Sequence, residues 1–358
     1  METSTRSQNG IKDRKVTRAM PTVTVQDVAL KVGVSKTTAA SILRNAPNFG
    51  ASEATRTRVL EAAESLGYRR HSIAAALSSG RTGTVGLLLP LVSIDSQMPT
   101  SRIYGQDIFV AVFQAACRVK LKVTAIPITA GTDPRVRLQD ITDRSVDGIV
   151  MASMPSAEFV GEIYQTGIPC VELGSGYGSN LIHPDNEGGV ESAVKHLVEL
   201  GHRRIIHWRG AGENYASQHR RRGFANALAN HQLDGAQCQV LLRQDEIAAQ
   251  LRLPAAQRPT AVCAYNDYQA SLVLDMAREL GLRVPADLSV VGFDNNILAE
   301  AARPQLTTVK NPLGKQAELA IELLQRLWDG EEQITPQCVP TELIVRQSTG
   351  ALQSPGEK

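Results

Sequence analysis

Two periodicities divide the chain. From Thr24 to Tyr68 apolar residues recur at helical spacing, and from Thr84 onward short apolar runs alternate with longer helical stretches. Val25, Val28, Ala29 and Val32 stand at i, i+3, i+4 and i+7, one buried face of a first helix. Thr24 is placed to cap that helix, Asp27 suits its positive end, and Gly33 falls where it must stop. Ser35 caps a second helix whose inner side is Ala39, Ile42 and Leu43, with Val34 plugging the gap between the two. Small residues at Ala29, Gly33, Ala39 and Ala40 let the helices approach closely. A third helix follows Ser52, turning Val59, Ala62, Ala63 and Leu66 inward; Gly67 ends it and Tyr68 closes the core.

Beyond Thr84 the pattern changes class. TVGLLLP, VDGIVMAS, IPCVELG, RIIHW, TAVCAYND and LSVVGFDN are short buried-strand candidates. Helical stretches lie near residues 105–120, 187–200, 216–230, 268–280 and 312–329. Strand–helix alternation predicts an α/β fold, a parallel sheet with helices on both faces. About 270 residues exceed one such sheet, so two lobes are expected. The domain reading is a tail over 1–21, a helix-turn-helix unit over 22–69, a hinge over 70–82, a two-lobed core over 83–350 and a tail over 351–358.

Charge sharpens that division. The formal net charge of +2 hides an asymmetry: residues 1–82 hold 13 Lys and Arg against 6 Asp and Glu, the remainder 25 against 30. A basic head on an acidic body suits a nucleic-acid binder with a separate sensing domain. The basic residues at 12, 14, 15 and 18 fit a solvated tail, but Lys31, Lys36, Arg44, Arg56, Arg58, Arg69 and Arg70 sit within or beside the helices. The five cysteines are scattered singly, which argues against a zinc module or a disulfide framework. No run nears 18 apolar residues and the polar N-terminus lacks an apolar signal region, so a cytoplasmic location is expected.

In a helix-turn-helix the second helix enters the major groove and its first residues reach base edges. Lys36 and Thr37 take that place, followed by Ala40 and Ser41, while Ser35, Thr38 and Asn45 are placed for phosphates. Thr24 and Tyr68 are counted with them on the DNA-binding side. The segments VQDVALKVGVSKTT, SEATRTRVLEAAESLGY and SIAAALSSGRTGTVGLLLP, in that order and spacing, resemble the DNA-binding headpiece and hinge of the lactose-repressor family of bacterial transcription regulators. Lys36 and Thr37 match that family's two main specificity positions. Where the family usually has Ser then Arg, this chain has Ala40 and Ser41, which removes a guanidinium able to grip guanine. SIAAALSS alone is too short for a stable helix, about eight residues against the 12–15 needed in water. In the family this hinge folds when two copies meet over the minor groove. The resemblance puts Leu77 at the wedging position and Ile73 and Ala74 at the helix–helix contact. Arg70-His71 replaces the usual Pro-Asn before the hinge.

The resemblance continues through DNEGGVESAVKHLVELGHRRI, RRRGFANAL, the AYND and VVGFDN segments, PQLTTV and PTELIVRQST. It implies two similar lobes joined by three crossing segments, like bacterial periplasmic sugar-binding proteins, with a ligand in the cleft. Arg220 matches a family arginine that points into the cleft, and Asn266, Asp267 and Asp294 match cleft positions at strand ends. Such a set suits a small polyhydroxylated ligand. Helix-cap or turn duty is the alternative for Asn266, Asp267 and Asp294, and Trp208 fits either stacking on a sugar or a place in the core. The loop LVSIDSQMPTSRIYGQ is longer than the family's, and Leu121-Lys122 replaces its usual Gly-Tyr.

Enzyme patterns are missing. There is no G-x-x-x-x-G-K-[ST] and no strand-linked G-x-G-x-x-G, the GSGYGS cluster reads as a loop, and the histidines lack metal-ligand spacing. No cofactor and no metal are expected. The expectation is therefore a DNA-binding regulator, acting as a repressor and homodimer on a near-palindromic operator, modulated by a sugar-like effector. A sugar-processing enzyme with a DNA-binding domain and a ligand-independent regulator remain as alternatives.

Overall fold

Thr24 starts the first helix by exchanging hydrogen bonds with Asp27: its Oγ1 accepts from Asp27 N at 3.4 Å while Asp27 Oδ2 accepts from Thr24 N at 2.8 Å. This capping box opens α1, Val25–Val32, and Gly33 ends it in the left-handed region at φ 76°. Ser35 caps α2, Lys36–Leu43, and Ser52 caps α3, Glu53–Leu66. Val28, Ala29, Val32, Ala39, Ile42, Val59, Ala62 and Ala63 form the core of this head, with Val34, Leu43 and Tyr68 packed against it. The computed structural model describes residues 23–44, 49–69, 76, 80–90, 99–128, 141–154, 156–174, 176–210, 212–332 and 335–352. Its contacts divide the chain into two units, Met1–Ser78 and Ser79–Lys358.

The second unit is mixed α/β, with two six-stranded sheets. In the first lobe the strands are β1 Thr84–Pro90, β2 Lys122–Ile128, β3 Gly148–Ala152, β4 Cys170–Leu173, β5 Leu181–Pro184 and β11 Gln337–Val339, ordered β11-β5-β4-β3-β1-β2 and all parallel. The second-lobe sheet runs β12-β10-β9-β8-β6-β7. Its members are β6 Ile205–Trp208, β7 Gln239–Leu241, β8 Ala261–Ala264, β9 Ser289–Asp294, β10 Thr307–Lys310 and β12 Glu342–Ile344. Among the described residues only the β10–β12 pair is antiparallel.

Parallel strands must be covered on both faces, which is why their sequences read as continuous apolar runs. Val85, Leu87 and Val150 meet α4, Pro99–Arg118, and α11, Leu313–Trp328. Leu88, Ile149 and Met151 meet α5, Ala157–Gln165, on the opposite face. In the second lobe α6, Asn186–Glu199, and α7, Tyr215–Asn230, cover one face. The other face is covered by α8, Gln244–Leu251, α9, Asp267–Glu279, and α10, Ile297–Ala301.

The chain passes between lobes three times: after Pro184 into α6, after Lys310 into α11, and after Val339 into β12. Two of these passages are tied directly to each other. Asp185 N donates to Val339 O at 2.8 Å, and Thr341 Oγ1 donates to Asp185 O at 3.0 Å.

All six strands expected from apolar runs are present. The strands β2, β5, β7, β10, β11 and β12 are not among those runs, being short, amphipathic or at sheet edges. The helix expected near 105–120 begins six residues earlier, at Pro99.

Candidate functional site

On the head, Lys36 and Thr37 are exposed in the first turn of α2. Ser35 Oγ accepts from Thr38 N at 3.0 Å and lies 2.8 Å from Thr38 Oγ1, so this pair fixes the start of the helix that presents them. Ser41 corrects an expectation. It is only 7% exposed, so its hydroxyl is covered by the protein and not offered to DNA. Thr24 serves the capping box, and Tyr68 packs half-buried against the core.

Two of the basic residues also have structural duties. Lys31 Nζ donates to Ser65 Oγ at 2.7 Å, and Arg58 Nη2 donates to Val32 O at 2.5 Å, both joining α3 to α1. Asn45, Ile73, Ala74 and Leu77 lie outside the described residues.

In the core, four of the five cleft candidates come together and one does not. Arg220, on α7, is 4% exposed. Its guanidinium lies between the rings of Tyr265, at 4.6 Å, and Phe293, at 3.5 Å. Nε donates to Asn186 Oδ1 at 2.9 Å, Nη1 to Tyr265 O, and Nη2 lies 3.5 Å from Asp294 Oδ1. Asp294 ends β9 with φ 104°, followed by Asn295 at φ 55°. Two non-glycine residues in the left-handed region mark a strained turn, the kind retained at binding sites. Burial raises the Asp294 carboxyl, and the Arg220 charge opposes that rise.

Asn266 is the N-cap of α9, accepting from Gln269 N at 3.0 Å. Asp267 is fully buried beneath the strained turn. Its Oδ2 accepts from Asn296 N at 2.8 Å and its Oδ1 from Thr308 Oγ1 at 2.5 Å. Burial, with the charge of Asp294 second, pushes its carboxyl up to about 8. Gly292 makes room for it, since a Cβ there would stand 2.3 Å from Asp267 Oδ1. Asp267 therefore braces the turn from behind.

Trp208 is the exception. It is 3% exposed in the second-lobe core, with Nε1 donating to Leu242 O at 2.9 Å, so it has no ring face to offer a ligand.

Four residues of the site escape a reading of the sequence. Tyr104 reaches the cluster from α4 of the first lobe. Burial raises its hydroxyl, and the charge of Asp294 adds to that. Its Oη lies 3.5 Å from where a Cβ on Gly174, at the end of β4, would stand. Tyr265 stacks on Arg220. Asn186 and Asn311 hold Arg220 and Asp294 from two of the crossing segments. The segments AYND and DNEGG contain Tyr265 and Asn186, whereas Tyr104 stands in a stretch that reads as loop. Among the described residues no group of three or more His, Cys, Asp or Glu is arranged to hold a metal. No described helix is long and apolar enough to cross a membrane.

A helix-turn-helix head on a two-lobed α/β core with a polar interlobe cluster is the build of a DNA-binding transcription regulator. Residues 24–71 match the domain described as "Bacterial regulatory proteins, lacI family", and residues 194–349 match a periplasmic binding protein-like domain. The HTH-type transcriptional repressor PurR of Vibrio vulnificus (strain CMCP6) is 30% identical over 344 residues, covering 91% of this chain and 98% of that protein. The solved structure of the transcriptional regulator CelR–cellobiose complex shares 26% identity with a TM-score of 0.65, covering 91% of this chain and 99% of its own. The lac repressor dimer bound to operator and the anti-inducer ONPF has the same fold, with 23% identity, a TM-score of 0.76 and coverage of 92% and 100%. The chain belongs to the lacI family of bacterial regulatory proteins. It is a DNA-binding transcription regulator, not an enzyme.

Proposed function

We propose that the protein is a cytoplasmic repressor that binds a near-palindromic operator as a homodimer and answers to a small polyhydroxylated ligand in the interlobe cleft. The observation that carries the effector reading is the buried pair of Arg220, on α7, and Asp294, at the end of β9, in one lobe, faced by Tyr104 from the other. Ligands of open α/β sheets bind beyond the carboxyl ends of strands. A dry cleft with hydroxyls, a carboxylate and a stacked guanidinium suits a ligand with several hydroxyl groups. The cellobiose held by the CelR relative supports a sugar. An inducer and a corepressor would use the same residues.

Lys36 and Thr37 read bases, Ser35, Thr38 and Asn45 hold phosphates, and Leu77 wedges into the central minor groove with Ile73 and Ala74 pairing the hinge. One head buries little DNA surface, so specific affinity needs two. Helix α4 supports the dimer: Ile108, Val112, Ala115 and Ala116 face the lobe core, yet Phe109, Val110 and Phe113 are 38%, 50% and 47% exposed on other sides. A helix apolar on both sides is covered on both sides, and we assign the outer cover to a second copy. Helix α11, by contrast, turns its apolar residues into the first-lobe core.

The test is a thermal-shift screen of neutral sugars, nucleosides and sugar phosphates, followed by operator titration with any hit. An effector raises the melting temperature with concentration and shifts operator affinity in the parent but not in Asp294→Asn. Arg220→Ala is the poorer variant because Arg220 also joins two rings, a backbone carbonyl and Asn186. A hit that binds Asp294→Asn and Tyr104→Phe as tightly as the parent overturns the assigned cleft. Absence of any hit favours a ligand-independent regulator.

A further inference from the structure

The Arg220–Asp294 pair touches more than the cleft. It is attached at both ends to segments on which the lobes turn. Asn186 opens α6 directly after the first crossing, and its Oδ1 accepts from Arg220 Nε at 2.9 Å. Asn311 lies in the second crossing, between β10 and α11. Its backbone N donates to Asp294 O at 3.3 Å, and its Nδ2 lies 3.5 Å from Asp294 Oδ1. Asn311 Oδ1 in turn accepts from Gln316 Nε2 at 2.6 Å, and Gln316 is buried on α11, the helix packed in the first-lobe core.

A continuous line of polar contacts therefore runs Asn186–Arg220–Asp294–Asn311–Gln316. It begins at one crossing, passes through the second-lobe cleft and ends in the first lobe at the other. All five residues are buried or nearly so, Asp294 being the most open at 13% of its side chain. Buried polar contacts are costly to break without replacement.

We infer that Asn186 and Asn311 are positioning residues that clasp two of the three crossings to the cleft pair, so that the state of Arg220 and Asp294 sets the angle between the lobes. Hinge motion is absorbed by a few residues at element ends, and these two asparagines sit at such ends with their side chains held by the cleft. A group that takes up Asp294 or Arg220 competes directly with the hinge contacts, without a longer relay. That consequence rests on the proposed effector site; the clasp itself is a property of the free core.

The experiment reads lobe geometry in the full chain without DNA or ligand. Spin labels go on Glu158→Cys in α5 of the first lobe and Glu279→Cys in α9 of the second, in a background with the exposed cysteines replaced by Cys117→Ser and Cys338→Ser. Pulsed electron–electron distance measurement is made on the parent and on variants, each first checked for a cooperative melt. Asn186→Ala and Asn311→Ala are each expected to broaden the distribution and add a distance population that the parent lacks. Asn186→Asp keeps an acceptor for Arg220 but gives up the Nδ2 donation to Pro184 O at 3.2 Å, so it should bring the distribution back toward the parent's. Asn226→Ala, which removes a contact to Glu191 within the second lobe only, should leave it unchanged. Parent-like distances in both alanine variants overturn the clasp, as does a change in Asn226→Ala as large as theirs. If one alanine variant does not fold, the other together with Asn186→Asp decides. A clasp that passes while no sugar shifts operator affinity leaves the hinge inference standing and the proposed effector function refuted. An effector found while distances stay fixed does the reverse.

Discussion

At the scale of single residues, Asp267 shows how a motif position and a binding position differ. It stands at a strand end beside Asn266, where the family pattern places ligand contacts, yet both its oxygens are spent inside the protein. Its environment makes a testable claim about pH. Burial raises its carboxyl from the ordinary 3.8 to about 8, so the folded protein holds a proton that the unfolded chain has already released across that interval. Stability should therefore fall as pH rises through that window and level off above it. Asp267→Asn mimics the protonated form, with one amide atom left to accept from Asn296 N and the other facing Thr308 Oγ1. Melting curves should show the variant gaining on the parent from about pH 4 to about pH 8 and no further above it. A constant difference across that range contradicts the assignment. Arg220 and Asp294 are legible in the sequence because R-x-x-G-F and VVGFDN fix them to one helix and one strand end. Trp208 and Ser41 are not: a residue at a strand end or on a short helix turns inward or outward according to neighbours that spacing alone does not supply. Tyr104 is hidden because its helix starts inside a stretch whose apolar periodicity is weak, so nothing separates a helix from a loop.

At the scale of elements, the head is almost wholly readable. Its caps and stops are local chemistry, and Thr24, Ser35, Ser52, Gly33 and Gly67 do in the folded chain what their side chains dictate. The strands buried on both faces are readable because burial on both faces demands continuous apolar runs. Edge strands such as β7 and β11 are three residues long and owe their conformation to the neighbour they pair with. Helix α4 carries the prediction proper to this scale. Val110→Glu places a charge in the exposed apolar strip beside the stacked Phe109 and Phe113, whose rings are 6.2 Å apart, while the inner face of α4 is untouched. Sedimentation should show a dimer turned to monomer with little change in melting temperature at low protein concentration, and operator binding should weaken with it. A Val110→Glu protein that remains dimeric moves the dimer contact elsewhere. Ser35→Ala removes the α2 cap, at a cost of about 1 kcal/mol in stability, and should weaken all DNA sequences alike because it holds the helix and not a base.

At the scale of the whole molecule, a basic head and an acidic two-lobed core share one chain, and the charge split between them is plain in the composition of residues 1–82 against the rest. What composition does not supply is which residues read sequence. We propose that role for the first turn of α2, and DNA selection tests it most directly. The full-length parent and Lys36→Ala are each used to enrich binding sites from a random duplex pool at fixed salt. The parent is expected to enrich a near-palindrome. Lys36→Ala is expected to enrich a site changed at symmetry-related bases of both halves, with the parent site bound about 1–3 kcal/mol more weakly. The same enriched site for both proteins, or a site without twofold symmetry, would contradict the placement of Lys36 at the base edges of a twofold operator.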